Sequence, residues 1–193
     1  MRSRSHQLSQ LSNQGFSLTE LIFCCGLLAT IMSLAVPNFS EFTLRKELDA
    51  AVIKIQRTLS LARSNALSHG KTVLICQLES PNSSHCVQSH KRNTRWKHGW
   101  LVFVDNDDNN ALDDNDIILK YFETTENISL IFNQNGKLRF FSDGSSRSAG
   151  FYLCSEKSKE VKHLKLLHSG RTRLVKNTDK SRLNTCKNTL QQA

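Results

Sequence analysis

Gly15-Phe16-Ser17-Leu18-Thr19-Glu20 opens an apolar run that continues Leu21-Ile22-Phe23-Cys24-Cys25-Gly26-Leu27-Leu28-Ala29-Thr30-Ile31-Met32-Ser33-Leu34-Ala35-Val36. The run covers residues 16–36, and Glu20 is its one charge. About 20 apolar residues suffice for a helix to cross a bilayer, so the stretch reads as a membrane-spanning segment. A carboxylate inside such a segment costs roughly 2.5–3.5 kcal/mol on insertion scales, and it needs a partner. A polar, basic leader with Arg2, Arg4 and His6 precedes the run. A secretory signal carries its small-residue cleavage site after the apolar stretch; here the small residue, Gly15, stands before it.

Beyond Pro37 the pattern stays helical. Leu48, Val52, Ile55, Leu59, Ala62 and Ala66 alternate spacings of four and three and draw one apolar stripe. His69-Gly70 is a helix stop, because glycine tolerates the left-handed conformation that ends a helix. The two parts together predict a helix of about 50 residues, roughly 75 Å at 1.5 Å per residue. Short β-branched and aromatic runs follow at 72–78, 100–105, 117–122, 128–132, 138–142, 151–154, 164–167 and 171–176. Asn135-Gly136, Asp143-Gly144 and Ser169-Gly170 separate some of them as turns. The expected fold class is therefore α+β, a long N-terminal helix packed on antiparallel β-sheet.

Gly15, Phe16, Glu20 and the run behind them resemble the class III signal of type IV prepilins and pseudopilins, and Pro37 falls where many pilins have a helix-bending proline. The resemblance implies that prepilin peptidase cuts between Gly15 and Phe16 and methylates the new Phe16 amine. It also implies that Glu20 faces the Phe16 amine of a neighbouring subunit, which would supply the missing partner. Further likeness lies in Ala62-Arg63-Ser64-Asn65-Ala66, Val73-Leu74-Ile75-Cys76, Trp96, Gly99-Trp100-Leu101-Val102-Phe103-Val104-Asp105 and Ile117-Ile118-Leu119. These are similar to the group that contains GspH-type pseudopilins and FimT/FimU-type minor pilins. The implied organisation is a leader over 1–15, a transmembrane segment over 16–36, a periplasmic helical half over 37–70, and a β-rich periplasmic domain over 71–193. The implied location is the inner membrane, single-pass, with entry into a pilus at the cell surface. The implied partners are other pilins, prepilin peptidase and the membrane itself.

Six cysteines divide into Cys24 and Cys25 inside the apolar run and Cys76, Cys86, Cys154 and Cys186 outside it. An even number outside suits two disulfides in an oxidising compartment. Three connectivities are open, and the sequence-local pairs Cys76–Cys86 and Cys154–Cys186 are the simplest. Charge is concentrated too. Residues 157–187 hold ten Lys and Arg against Glu160 and Asp179, a net of +8 out of +9 for the whole chain. Such a block suits a polyanionic partner or a solvated basic tail.

Three segments compete for function. In Gly170-Arg171-Thr172-Arg173, a strand after a tight turn would put Arg171 and Arg173 on one face about 6.6 Å apart, each guanidinium able to fork onto a phosphate. Lys162 and Lys165 would enter from the preceding strand, and Lys176, Lys180 and Arg182 would extend the track. The string looks like the DNA-binding motif of FimT-type minor pilins, which act in natural transformation. Residues 90–98 interleave four basic side chains (Lys91, Arg92, Arg95 and Lys97) and two histidines around Trp96 and offer an auxiliary nucleic-acid patch, although the resemblance implies that Trp96 is a packed residue. Residues 105–116 approximate a calcium-loop register with Asp105, Asp107, Asn109, Asp113 and Asp116. Asn110 stands there in place of Gly and Asp116 in place of Glu, and an Asp/Asn-rich hairpin loop is the preferred reading. Neither a metal nor a cofactor is assigned. No metalloprotease helix motif, phosphate-binding Gly loop or nucleophile elbow occurs, so an enzyme is not expected. The expectation is a minor type IV pilin that binds extracellular DNA non-specifically during uptake; the alternative is a GspH-type pseudopilin of a type II secretion system.

Overall fold

A computed structural model describes residues 16–81, 83–88, 91–125, 127–155, 160–175, 184 and 186, and of residues 34–38 the backbone alone. The leader with Gly15, and the side chains of His90, Lys176, Lys180 and Arg182, lie outside the described residues. The chain divides into two compact units between Ser40 and Glu41.

Helix α1 spans Leu18–His69 and begins in the first unit. There its large apolar side chains, among them Phe16 just before it, Leu21, Ile22, Phe23, Leu27 and Ile31, are all exposed. Cys24 and Cys25 are exposed free thiols. Among the described residues no helix is long and apolar enough to cross a membrane. The span expected over 16–36 is thus not met by them. Glu20 interrupts the described run, and the uncharged side chains after it are described only to Ser33, short of the ~20 residues a crossing needs.

In the second unit α1 continues to His69, and Gly70 follows at φ +63°, the left-handed stop expected there. Nine strands come after it: β1 Thr72–Gln77, β2 Thr94–Arg95, β3 Trp100–Asp105, β4 Ile117–Phe122, β5 Ser129–Phe132, β6 Leu138–Phe140, β7 Ala149–Cys154, β8 Val161–Leu166 and β9 Thr172–Val175. They form a four-stranded sheet in the order β4-β3-β1-β6 and a five-stranded sheet in the order β2-β5-β7-β8-β9. Every pairing is antiparallel. The α+β architecture read from the sequence is the one observed.

One core joins the helix to both sheets. The whole stripe Leu48, Val52, Ile55, Leu59, Ala62 and Ala66 is buried in it, against Val73 and Val102 of the first sheet and Phe132 and Leu164 of the second. Trp96 and Trp100 sit where the sheets meet. Trp96 lies 5.3 Å from Phe132 and 5.7 Å from Phe151 between ring centroids, and 5.9 Å from Trp100. Trp100 stacks on Phe122 and donates from Nε1 to Thr58 Oγ1 of α1 at 3.2 Å. Buried indoles keep such a donor satisfied, and here the bond fixes the first sheet against the helix.

Strands β1 and β3 are buried on both faces, which explains their unbroken apolar sequences. Their second face, Leu74, Cys76, Leu101 and Phe103, is covered by Cys86 and Leu112 from the loops that follow β1 and β3. The disulfides are Cys76–Cys86 and Cys154–Cys186, the sequence-local pairs. The first closes the loop that covers Leu74 and Cys76. The second buries Cys186 against Ile131, Cys154 and Val161 of the five-stranded sheet.

Trp96 is 2% exposed, so its aromatic area serves the core and is closed to a nucleobase. Trp96→Ala should cost about 3–5 kcal/mol, as large-to-small aromatic core changes do. Urea unfolding followed by Trp100 fluorescence would measure it. A cost below about 1 kcal/mol would contradict the packing described.

Candidate nucleic-acid interface

The five-stranded sheet has one apolar face and one mixed face, and strand parity assigns each residue to one of them. Residues opposite one another across a ladder share a face, and neighbours along a strand alternate. Phe132, Phe151 and Leu164 pair in a row on the helix side. The adjacent row, on the opposite face, is Arg95, Ile131, Tyr152, His163 and Val175. The next row on that face is Gly150, Lys165 and Arg173.

Strand β9 is an edge strand joined to β8 by a tight hairpin. Leu167 donates to the Arg171 carbonyl and Gly170 to the Leu167 carbonyl, each at 2.9 Å, while Gly170 sits at φ +73°. A turn closed by a left-handed glycine is a common antiparallel hairpin connection. Arg171 and Arg173, two apart on the extended chain beyond it, fall on the mixed face and are both exposed. Lys165 stands directly across from Arg173 and is exposed as well.

Lys165 and Arg173, but not Arg171, line an open groove of about 460 Å³ together with Asn133, Ser148, His163 and Val175. Gly150 forms part of its floor. Its amide donates to Asn133 Oδ1 at 2.7 Å, and a Cβ on it would stand 2.8 Å from His163 Nε2. Tyr152 and His163 stack with centroids 4.6 Å apart beside the groove. The arrangement offers three cations around a polar trough on a rigid sheet, suited to phosphate oxygens.

Lys162 departs from the sequence expectation. It lies three residues from Lys165, an odd separation, and so faces the other way, opposite Leu153 of the core. Its ammonium pairs with Glu160 at 2.9 Å and with Asp49 of α1 at 3.3 Å. The hydrogen bond it donates to the Glu160 carboxylate raises its pKa most, against the opposing effect of burial. Lys162 is therefore a helix-to-sheet tie and does not belong to the cationic face.

Gly170 has a structural reason to be glycine besides its φ. It is buried, and a Cβ there would collide with the Gly144 carbonyl oxygen and stand 2.9 Å from Arg63 Nε. Arg63 Nε itself donates to the Gly144 carbonyl at 3.2 Å. Two turns and a helix side chain thus meet at one point, and Gly170 acts by positioning Arg171 and Arg173.

The segment before Trp96 contains a strand that sequence reasoning missed. Thr94 and Arg95 form β2, paired with Phe132 and Ile131. Two residues among basic neighbours carry no alternation to detect; the one usable signal was the aromatic at Trp96, which has to reach the core. Asn133, Gly150, Tyr152 and His163 were also missed, since only the ladder register brings them beside Lys165.

The 105–116 segment is a hairpin loop between β3 and β4, as preferred. Asp105 accepts from the amides of Asn109 and Asn110 at 3.2 and 3.0 Å, and Asp116 from those of Asn106 and Asp113 at 3.0 Å each. Asn110, in the position of the expected Gly, has φ +60°, which Asn tolerates better than most residues. Burial pushes the Asp105 carboxyl up, opposed by the Asn110 and Asn109 amides. Carboxylate oxygens of Asp105, Asp107 and Asp116 lie within 4.8 Å of one another. Arg139 pairs with Asp108, and Lys137 lies close enough to Asp105 and Asp116 to feel both charges. Internal donors and cations thus already answer this acidic loop.

A long N-terminal helix against antiparallel sheets, with a disulfide-tied C-terminal region, defines a pilin-type protein. The chain belongs to the family described as Type II transport protein GspH, which it matches over residues 51–170. It is accordingly a minor pilin or pseudopilin of the GspH type, and membership points to association with other pilins and with a pilus or membrane. In fold it is similar to the type IV minor pilin FimU of Pseudomonas aeruginosa, seen in two crystal forms. In the P21 form the identity is 20% and the TM-score 0.51, covering 69% of this chain and 92% of that one. In the P65 form they are 16% and 0.50, covering 66% and 91%. No curated protein matches the chain.

Gly170→Val should destabilise the domain by about 2 kcal/mol or more, through left-handed strain and the collision with Gly144. The shift in the urea midpoint measures this. Gly170→Ala, with the same φ problem and less bulk, should fall between Val and wild type; an unchanged midpoint for both would contradict the close approach.

Proposed function

We propose that this chain is a minor type IV pilin that holds extracellular DNA by its phosphates, with little sequence preference, during uptake for natural transformation. The observation that carries the reading is the exposed pair Arg171 and Arg173 on one sheet face, beside Lys165 and a polar groove. Guanidinium groups grip phosphate in a planar fork, and Lys165 adds a point charge. The family match ends at Gly170, so this basic strand follows the shared portion directly. Lys176, Lys180 and Arg182, which follow in sequence, add charge to the same partner. The subunit is structural and non-enzymatic.

The exposed apolar collar of the first unit supports insertion in the inner membrane as a single-pass anchor over 16–36, with the second unit in the periplasm. Prepilin peptidase would cut between Gly15 and Phe16, and Glu20 would pair with a neighbour's methylated Phe16 amine during assembly. The two disulfides fit that oxidising location.

A second reading has an observation of its own. Strand β9 is a sheet edge, and exposed charge on an edge blocks unwanted strand pairing. On that reading Arg171 and Arg173 protect a GspH-type pseudopilin of a type II secretion system and bind no nucleic acid.

A gel shift separates the two. Binding should weaken steeply with salt because phosphate contacts release counterions. Arg171→Ala with Arg173→Ala should abolish binding and transformation while leaving the unfolding midpoint unchanged. Equal affinity of variant and wild type would reject the site. Absence of binding by wild type, with aggregation of the double variant, would favour edge protection.

Processing is tested independently. Mass spectrometry of the membrane fraction should find a chain starting at methylated Phe16, and Gly15→Val should leave the leader attached. Glu20→Ala should be cut normally yet be depleted from sheared filaments. Recovery of Met1 at the N-terminus of the wild-type chain would overturn the anchor assignment.

A further inference from the structure

The two basic segments of this sequence, 91–97 and 165–173, are far apart in the chain but belong to opposite edges of one sheet. Strand β2 is one edge and β9 the other. The ladder register puts Arg95 in the row of Ile131, Tyr152, His163 and Val175, on the face that also carries Lys165 and Arg173. Four inter-strand spacings of ~4.8 Å separate the edges, about 19 Å in all. Between them the groove runs from Arg173 and Lys165 to Asn133, at the end of β5, the strand that pairs with β2. Buried Cys186 covers the far end of the same face, against Ile131, Cys154 and Val161, and so borders this route on one side.

We infer that Arg95 belongs to the same phosphate-binding surface as Lys165, Arg171 and Arg173, so that duplex DNA crosses the open part of the mixed face from β9 toward β2, along Arg173, Lys165 and Asn133 and beside the part that Cys186 covers at Ile131. This rests on the DNA-binding reading above. Duplex DNA carries one charge per ~1.7 Å of axis, so a crossing of about 19 Å passes some 11 phosphates. Cations at only one edge would grip a small part of that length. Arg92 and Lys97, exposed on either side of β2, prolong the surface past Arg95. Among the described residues the open part of this face is polar and cationic and shows no large exposed aromatic plane: Tyr152 is stacked on His163, and Trp96 points into the core. It therefore suits the backbone of a duplex better than the unstacked bases of a single strand.

The test is fluorescence anisotropy of a labelled 20-base-pair duplex of arbitrary sequence, titrated with the full chain in non-ionic detergent at four salt concentrations. Each phosphate contact contributes about −0.9 to the slope of log affinity against log salt. Arg95→Gln should make the slope shallower by about 0.9 and weaken binding several-fold at the lowest salt, with the unfolding midpoint unchanged. Arg95→Lys keeps the charge and should restore the wild-type slope. If Arg95→Gln leaves slope and affinity at wild-type values while the Arg171→Ala, Arg173→Ala variant loses binding, the crossing is wrong and the edge site stands. If Arg95→Lys is as weak as Arg95→Gln, Arg95 acts through packing and the inference fails. If the wild-type chain does not bind at the lowest salt, both readings fall together.

Discussion

The apolar stripe of α1 from Leu48 to Ala66 is the constraint on which the architecture of the second unit rests. A helix with one oily face needs a cover, and here two sheets share the task. Each sheet alone would leave part of the stripe wet. Together they enclose it, and the seam between them is filled by Trp96, Trp100, Phe132 and Phe151. The seam also sets the sheets' relative positions, since Trp96 follows β2 of one sheet and Trp100 begins β3 of the other. Three residues of intervening chain thus hold the two sheets in register with the helix.

Burying one face of the five-stranded sheet leaves the other free to be polar. Which side chain appears there follows from counting by two along each strand. Lys162 and Lys165 look equivalent in the sequence, yet one ties α1 to β8 and the other stands beside Arg173. The same parity brings Arg95 into the row of His163. Packing of the helix-side core therefore decides which side chains reach the cationic face, part of which, at Ile131, Cys154 and Val161, is itself buried under Cys186. The acidic loop at 105–116 meets two cations of its own, Lys137 and Arg139, which balance part of its charge within the first sheet and its loops.

Much of this was legible in the sequence because its signals are periodic or local. The 3.6-residue stripe named the helical core residues, and the His69-Gly70 stop fell where α1 ends. Six-residue apolar runs gave β1, β3 and β4 with their boundaries nearly intact. The sequence-local disulfides formed as the simplest connectivity suggests. Elsewhere the deciding information was long-range. Strand β2 has too few residues for a period, and it exists because β5 offers an edge much later in the chain, Phe132 to Thr94 and Ile131 to Arg95. Strand β8 begins at Val161, three residues before the expected start, because Val161 pairs with Cys154 and helps to bury Cys186. Asn133 and Gly150 became part of the groove through register alone. The large apolar side chains described between Phe16 and Met32, conspicuous in the sequence, are exposed within their own unit.

The turn at Gly170 has a mechanical side. Arg171 and Arg173 are separated from it by one and three residues, and Gly170 abuts both the Gly144 carbonyl and Arg63 of α1. A tension applied at those arginines therefore reaches the helix by a path only a few side chains long. The same point is braced from the other side by Ser146, whose amide donates to the His168 carbonyl at 2.9 Å. On the DNA-binding proposal, a load carried by Arg171 and Arg173 would thus be taken up next to a buried turn that is braced against α1.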